Sequence, residues 1–114
     1  MEDRKALTVL DVSNPASPKI IAKGSEDVKN SSGLAISGKY AYVVDGGVSK
    51  QTEFVEDIIK IFDISDLNNI KIAGTFGLER ARPRGTVKIS GNLLFMTDTA
   101  YGVWILNITD PLKP

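Results

Sequence analysis

The side chains best suited to chemistry in this chain are charged and fall in two clusters. Leu78-Glu79-Arg80-Ala81-Arg82-Pro83-Arg84-Gly85 sets three arginines at alternate positions, with Pro83 stiffening the run. A guanidinium is a planar fork of donors that suits carboxylates and other anions. The second cluster lies in residues 46–57, which carry Glu53, Glu56 and Asp57. Two readings stand side by side. In one, the acids and arginines form loop-to-loop ion pairs or stay solvated, the usual fate of surface charge. In the other, Arg80, Arg82, Arg84, Glu53, Glu56 and Asp57 make a ligand-binding patch that reads an anion.

A third set of acids is periodic. Asp11, Asp63 and Asn107 could be taken for ligands repeated around a ring. Each, however, is followed two residues on by a hydroxyl (Ser13, Ser65, Thr109), then by Asn14-Pro15, Asp66-Leu67 or Asp110-Pro111. That is turn chemistry, in which short polar side chains accept backbone N–H bonds. Asp45 and Asp98 close strands and are read the same way. No Asp-x-Asp-x-Asp-Gly calcium spacing occurs.

What is missing narrows the field. The 114 residues include no histidine and no cysteine, which removes the commonest general base and the commonest metal ligand. No catalytic residues, metal site or cofactor are expected. Fourteen basic residues balance fourteen acidic ones, so no net field favours nucleic acid. No apolar run approaches the roughly 18 residues of a membrane span.

These charges must be held by strands. Asp11, Asp63 and Asn107 are 52 and 44 residues apart, and the Ile36-Ser37-Gly38 and Ile89-Ser90-Gly91 corners are 53 apart. Removing the 46–57 insertion leaves a period near 44, in the range of solenoids and propellers. Residues 32–37 and 40–44 read as a hairpin about a Gly38-Lys39 turn, with a matching hairpin over 85–90 and 93–97. Residues 7–12, 59–64 and 103–108 are near-continuous apolar runs, expected for strands covered on both faces. Short strands follow at 20–23 and 70–75. One stretch is ambiguous: Phe54, Val55, Ile58, Ile59 and Phe62 also fit a helical face over 52–62. The repeat argues for a strand from Ile59 onward and leaves a helical turn open at 52–57.

The fold expected is all-β, about nine strands of four-stranded antiparallel blades forming a partial β-propeller with an incomplete ring. Residues 1–114 form one segment. Residues 7–31 are the outer strands of a first blade, 32–76 a complete blade with the insertion at 46–57, and 85–114 a truncated third blade. The ring would be completed by further propeller blades or by a homo-oligomeric partner, and unpaired edges predict that the segment self-associates or is marginally folded.

The triplicated Leu7-Thr8-Val9-Leu10-Asp11, Ile59-Lys60-Ile61-Phe62-Asp63 and Val103-Trp104-Ile105-Leu106-Asn107 resemble the LVIVD repeat. Gly38-Lys39-Tyr40-Ala41-Tyr42-Val43-Val44-Asp45 is similar to that family's second hallmark. Departures are Leu67 where proline is usual, and Met96-Thr97-Asp98 in the later hairpin. The resemblance implies a propeller fold and an exported or surface-attached parent, and it implies no shared catalytic residues. It supports a non-enzymatic binding or scaffold module that engages a protein or glycan. The alternative is part of a propeller hydrolase whose catalytic residues lie outside this segment.

Overall fold

Two-residue Gly corners and alternating apolar residues generate the local structure, and stacking of sheets generates the core. A computed structural model of the chain describes residues 7–23, 31–45, 55–79, 83–98 and 102–114. Nine strands run through them: β1 (Thr8–Asp11), β2 (Lys19–Lys23), β3 (Ser31–Ser37), β4 (Tyr40–Asp45), β5 (Val55–Asp63), β6 (Lys71–Glu79), β7 (Pro83–Ser90), β8 (Leu93–Asp98) and β9 (Gly102–Asn107). Among the described residues there is no helix. The strands form three antiparallel sheets, ordered β1-β2, β3-β4-β5-β6 and β7-β8-β9. The architecture is all-β and propeller-like, and the described sheets do not close a barrel.

The repeat is visible atom by atom at the corners. Gly38 (φ 60°) and Gly91 (φ 57°) take the left-handed conformation that only glycine adopts without strain. Each opens a two-residue turn, so that Ser37 faces Tyr40 and Ser90 faces Leu93 across the hairpin. Beyond the corner, Ile64 N–H donates to the Lys39 carbonyl at 2.9 Å, and Ile108 N–H donates to the Asn92 carbonyl at 2.8 Å. The two Ile-Ser-Gly triplets thus occupy like environments.

The helical face over 52–62 does not form from Val55 onward. Residues 55–63 are β5, paired with β4 and β6, while 52–54 lie outside the described residues. Cross-strand pairing outweighs the local helical spacing. β5 begins four residues before the expected strand, and β6 runs on to Glu79.

Side chains of the four-stranded sheet bury themselves on both faces. Tyr42, Val44, Ile59 and Ile61 pack with Val87, Leu94, Met96 and Leu106 of the three-stranded sheet and with Ile108 just after it. On the opposite face Ala41, Val43 and Phe62 pack with Leu7 and Ile70, supported by Val9 and Ala22 of the two-stranded sheet. Alternation along β4 sends successive residues to opposite sides, which is why Tyr42 and Val43 belong to different clusters. β7 lies against β3 and β4, fixing the order of the stack.

Two-sided burial does not extend to β1 and β9. Leu10 fills the position that Phe62 fills in the middle sheet, yet Leu10 is 50 % exposed and Phe62 is fully buried. Ile105 is 60 % exposed where its counterpart Ile61 is fully buried. The same motif therefore meets solvent or protein according to what stacks on it. Phe62→Ala should cost about 3–5 kcal/mol, the range for emptying a well-packed aromatic site. Urea denaturation of the purified variant measures this, and a loss below about 1 kcal/mol would contradict the packing described.

Candidate functional site

The periodic acids are the first candidates, and their geometry is that of turns. Asp11 Oδ1 accepts the Ser13 N–H at 2.8 Å. Asp63 Oδ1 accepts the Ser65 N–H at 2.9 Å and the Ser65 Oγ–H at 2.6 Å. Asn107 Oδ1 accepts the Thr109 N–H at 2.9 Å and the Thr109 Oγ1–H at 2.6 Å. A second bond of the same kind follows each time: Asn14 Oδ1 accepts from Ala16 N–H, Asp66 Oδ1 from Asn68 N–H and Asp110 Oδ1 from Leu112 N–H. A backbone turn then closes at 3.0 Å from Ser17 to Asn14, Asn69 to Asp66 and Lys113 to Asp110. The side-chain oxygens satisfy donors that the chain reversal would otherwise leave open.

Their protonation follows from those bonds. Asp11 is held below the usual carboxylate range, first by the Ser13 N–H and then by its hydroxyl. Asp63 is held low first by the Ser65 hydroxyl, then by the Ser65 N–H. Among the described residues no cluster of His, Cys, Asp or Glu is placed to hold a metal ion.

The described members of the two charged clusters lie at the other end of the stack. Pairing of β4 with β5 ends at Val44 and Ile59, whereas β5 and β6 stay paired as far as Val55 and Glu79. The two strands overhang β4 by about four residues, or roughly 13 Å at about 3.3 Å per residue. Glu56 and Asp57 lie on this overhang, not in a loop, opposite Leu78 and Gly77. Arg84 lies in β7 where the register with β8 slips between Pro83 and Val87. Such register slips bend a strand and increase its local twist. Glu53, Arg80 and Arg82 lie outside the described residues. Topology brings Glu56, Asp57 and Arg84 to one rim, because β5 starts, β6 ends and β7 starts there.

Asp98 also has a side-chain partner across its sheet. It is buried at the end of β8, and its Oδ2 accepts the Trp104 indole N–H at 2.7 Å. In register it faces Pro83 on one side and Gly102 on the other, beside the arginine-bearing strand. Trp104 takes the position that Lys60 has in the middle sheet, and sequence spacing did not single it out. The available signal was chemical: a half-buried indole N–H needs an acceptor.

Tyr42 joins the core to the last turn. Its hydroxyl donates to the Pro111 carbonyl at 3.4 Å, and burial, then Tyr40 and Asp110, push its pKa up. Leu112 of the same turn lies 3.7 Å from where a Cβ on Gly74 of β6 would stand. The strand-end turn thus seats against the neighbouring sheet.

The model of the LVIVD repeat matches residues 3–24 and 29–49. The first match spans β1 and β2, and the second spans β3 and β4. Residues 3–24 and 29–49 therefore match LVIVD repeats, and the later copies follow the same turn and corner geometry. No curated protein and no solved structure matches the chain.

A pH dependence follows from the turn acids. A folded-state pKa below the unfolded value, near 4 for a free aspartate, stabilises the fold when the carboxylate is ionised. That contribution is complete above the unfolded pKa and is lost as pH falls through the lower folded one. Asn107 makes the same bonds without titrating. Asp63→Asn should therefore keep the turn at neutral pH and flatten the acid limb of the stability–pH curve, with Asp11 leaving a residual slope. Urea melts between neutral pH and about pH 2 measure the effect. An unchanged acid limb in the folded variant would refute it.

Proposed function

We propose that this run of propeller repeats is a non-enzymatic binding and scaffold module. On this reading it engages an anionic group on a protein or glycan through the rim where the β5–β6 overhang meets the bulged start of β7. The observation that carries the reading is a division of labour between the two ends of the stack. At one end the periodic acids have their side-chain oxygens committed to turn N–H and hydroxyl donors. At the other, charged positions sit on strand extensions that reach past the shared sheet. Binding residues held at the ends of a rigid scaffold are the common arrangement in such folds.

Arg84 is the member of the patch to test, since its strand is fixed by pairing on either side of the bulge. An array of acidic and neutral glycans and peptides, probed with the intact chain, should retain protein on acidic members. Added salt should weaken that retention, as for exposed charges. Arg84→Glu should reduce it at least about tenfold, a loss of about 1.4 kcal/mol. The glycan and peptide arms distinguish the source of the anion. Equal retention on neutral members, or no change in a folded Arg84→Glu variant, would overturn the reading.

A further inference from the structure

The arginine-bearing start of β7 is tied to β8 at two points. Pro83 pairs with Asp98, and pairing resumes only where Val87 meets Met96. Between those pairs three residues of β7 (Arg84, Gly85 and Thr86) face the single Thr97 of β8, two more than a regular ladder can match. One end of this short segment is tied by the Thr97 hydroxyl, which donates to the Thr86 carbonyl at 3.4 Å. The other end hangs on the Pro83–Asp98 pair. Proline has no N–H to give, so that pair is a weak place in the ladder.

Asp98 is built to strengthen it. Along β8 Leu94, Met96 and Asp98 are buried in alternation, so a carboxylate continues an apolar row and ends it at the rim. Withdrawing a carboxylate from water is costly unless donors meet it. The Trp104 indole N–H meets it at 2.7 Å. Gly102, directly opposite Asp98, has no side chain, and Trp104 two residues on lies diagonal to Asp98 and within reach of it. The bond therefore ties the last residue of β8 to β9, on the side of β8 away from Pro83. Thr8 and Lys60 hold the place of Trp104 in the other copies, so the indole is particular to the sheet whose first strand carries Arg84.

We propose that Asp98 is a positioning residue of the rim: held by the Trp104 indole, it keeps the end of β8 in register with Pro83 and so fixes the backbone that presents Arg84 to an anionic ligand. The role rests on the rim being the binding site proposed above. Its physical basis is pre-organisation, since an arginine on a segment already held loses less freedom on binding.

The chain has no cysteine, so a single nitroxide label can be placed at will. On Thr86→Cys it reports the held segment, and on Lys88→Cys it reports β7 beyond the slip; both side chains are exposed. Asp98→Ala in the full chain should shorten the rotational correlation time at 86 at least about twofold and leave 88 unchanged. Asp98→Asn, whose amide oxygen still accepts the indole N–H, should restore the value at 86. Trp104→Phe should loosen 86 as Asp98→Ala does, which keeps the test open if Asp98→Ala folds poorly. On the acidic glycans and peptides Asp98→Ala should cut retention at least about tenfold, with Asp98→Asn close to the unmodified chain. Unchanged mobility at 86 in the folded variants, or equal loosening at 86 and 88, would overturn the proposal. Undiminished retention of Asp98→Ala on members that the unmodified chain binds would also overturn it while leaving the rim as the binding site. Failure of the unmodified chain to bind any acidic member would remove the rim reading, and the positioning role with it.

Discussion

The constraint on which this structure depends is that a strand apolar on both sides must be covered on both sides. β4 and the end of β5 meet it through sheets stacked on either face, with Tyr42, Ile59 and Ile61 on one side and Val43 and Phe62 on the other. Hydrogen bonds within a sheet fix register, but they cannot bury the faces. Burial comes only from the next sheet, at roughly 25 cal/mol per Å² of apolar surface removed from water. Stability in such a stack is a sum of units and nearest-neighbour interfaces, so the middle sheet carries the most.

The turn acids serve that stacking. Asp11, Asp63 and Asn107 each turn the chain at the same place, and after Asp11 and Asp63 the next strand returns along the outer edge of its sheet. In the third copy the turn also reaches the neighbouring sheet, through Tyr42 to Pro111 and through Leu112 to Gly74. Leu67 stands where Pro15 and Pro111 stand in the other copies, and its turn closes with the same bonds. Proline presets that turn without being required for it.

Much of this was legible in the sequence because the repeat is built from local rules. The Gly38 and Gly91 corners, the hairpins and the turn oxygens all depend on residues within a few positions of one another. Less legible was anything decided by a distant neighbour. Phe62 and Leu10 share a motif and differ in burial because only one has a sheet on that side. The Asp98–Trp104 bond joins β8 to β9, and no spacing announces it. The start of β5 was ambiguous because Phe54, Val55, Ile58 and Ile59 also suit a helix, and the short 99–102 connection has no sequence counterpart to 46–57. Of the charged patch, sequence gave the residue types and the shared rim, but not that Glu56 and Asp57 lie on a strand or that Arg84 sits at a bulge.

Native-state hydrogen exchange followed residue by residue tests the central claim most directly, because it reports how far each strand's opening depends on its neighbours. If stacking on both faces governs stability, amides of 41–44 and 59–62 exchange only through global unfolding. Those of β1 and β9 then exchange through smaller local openings. Protection in β1 or β9 equal to that of β4 and β5 in the monomeric chain would contradict the account.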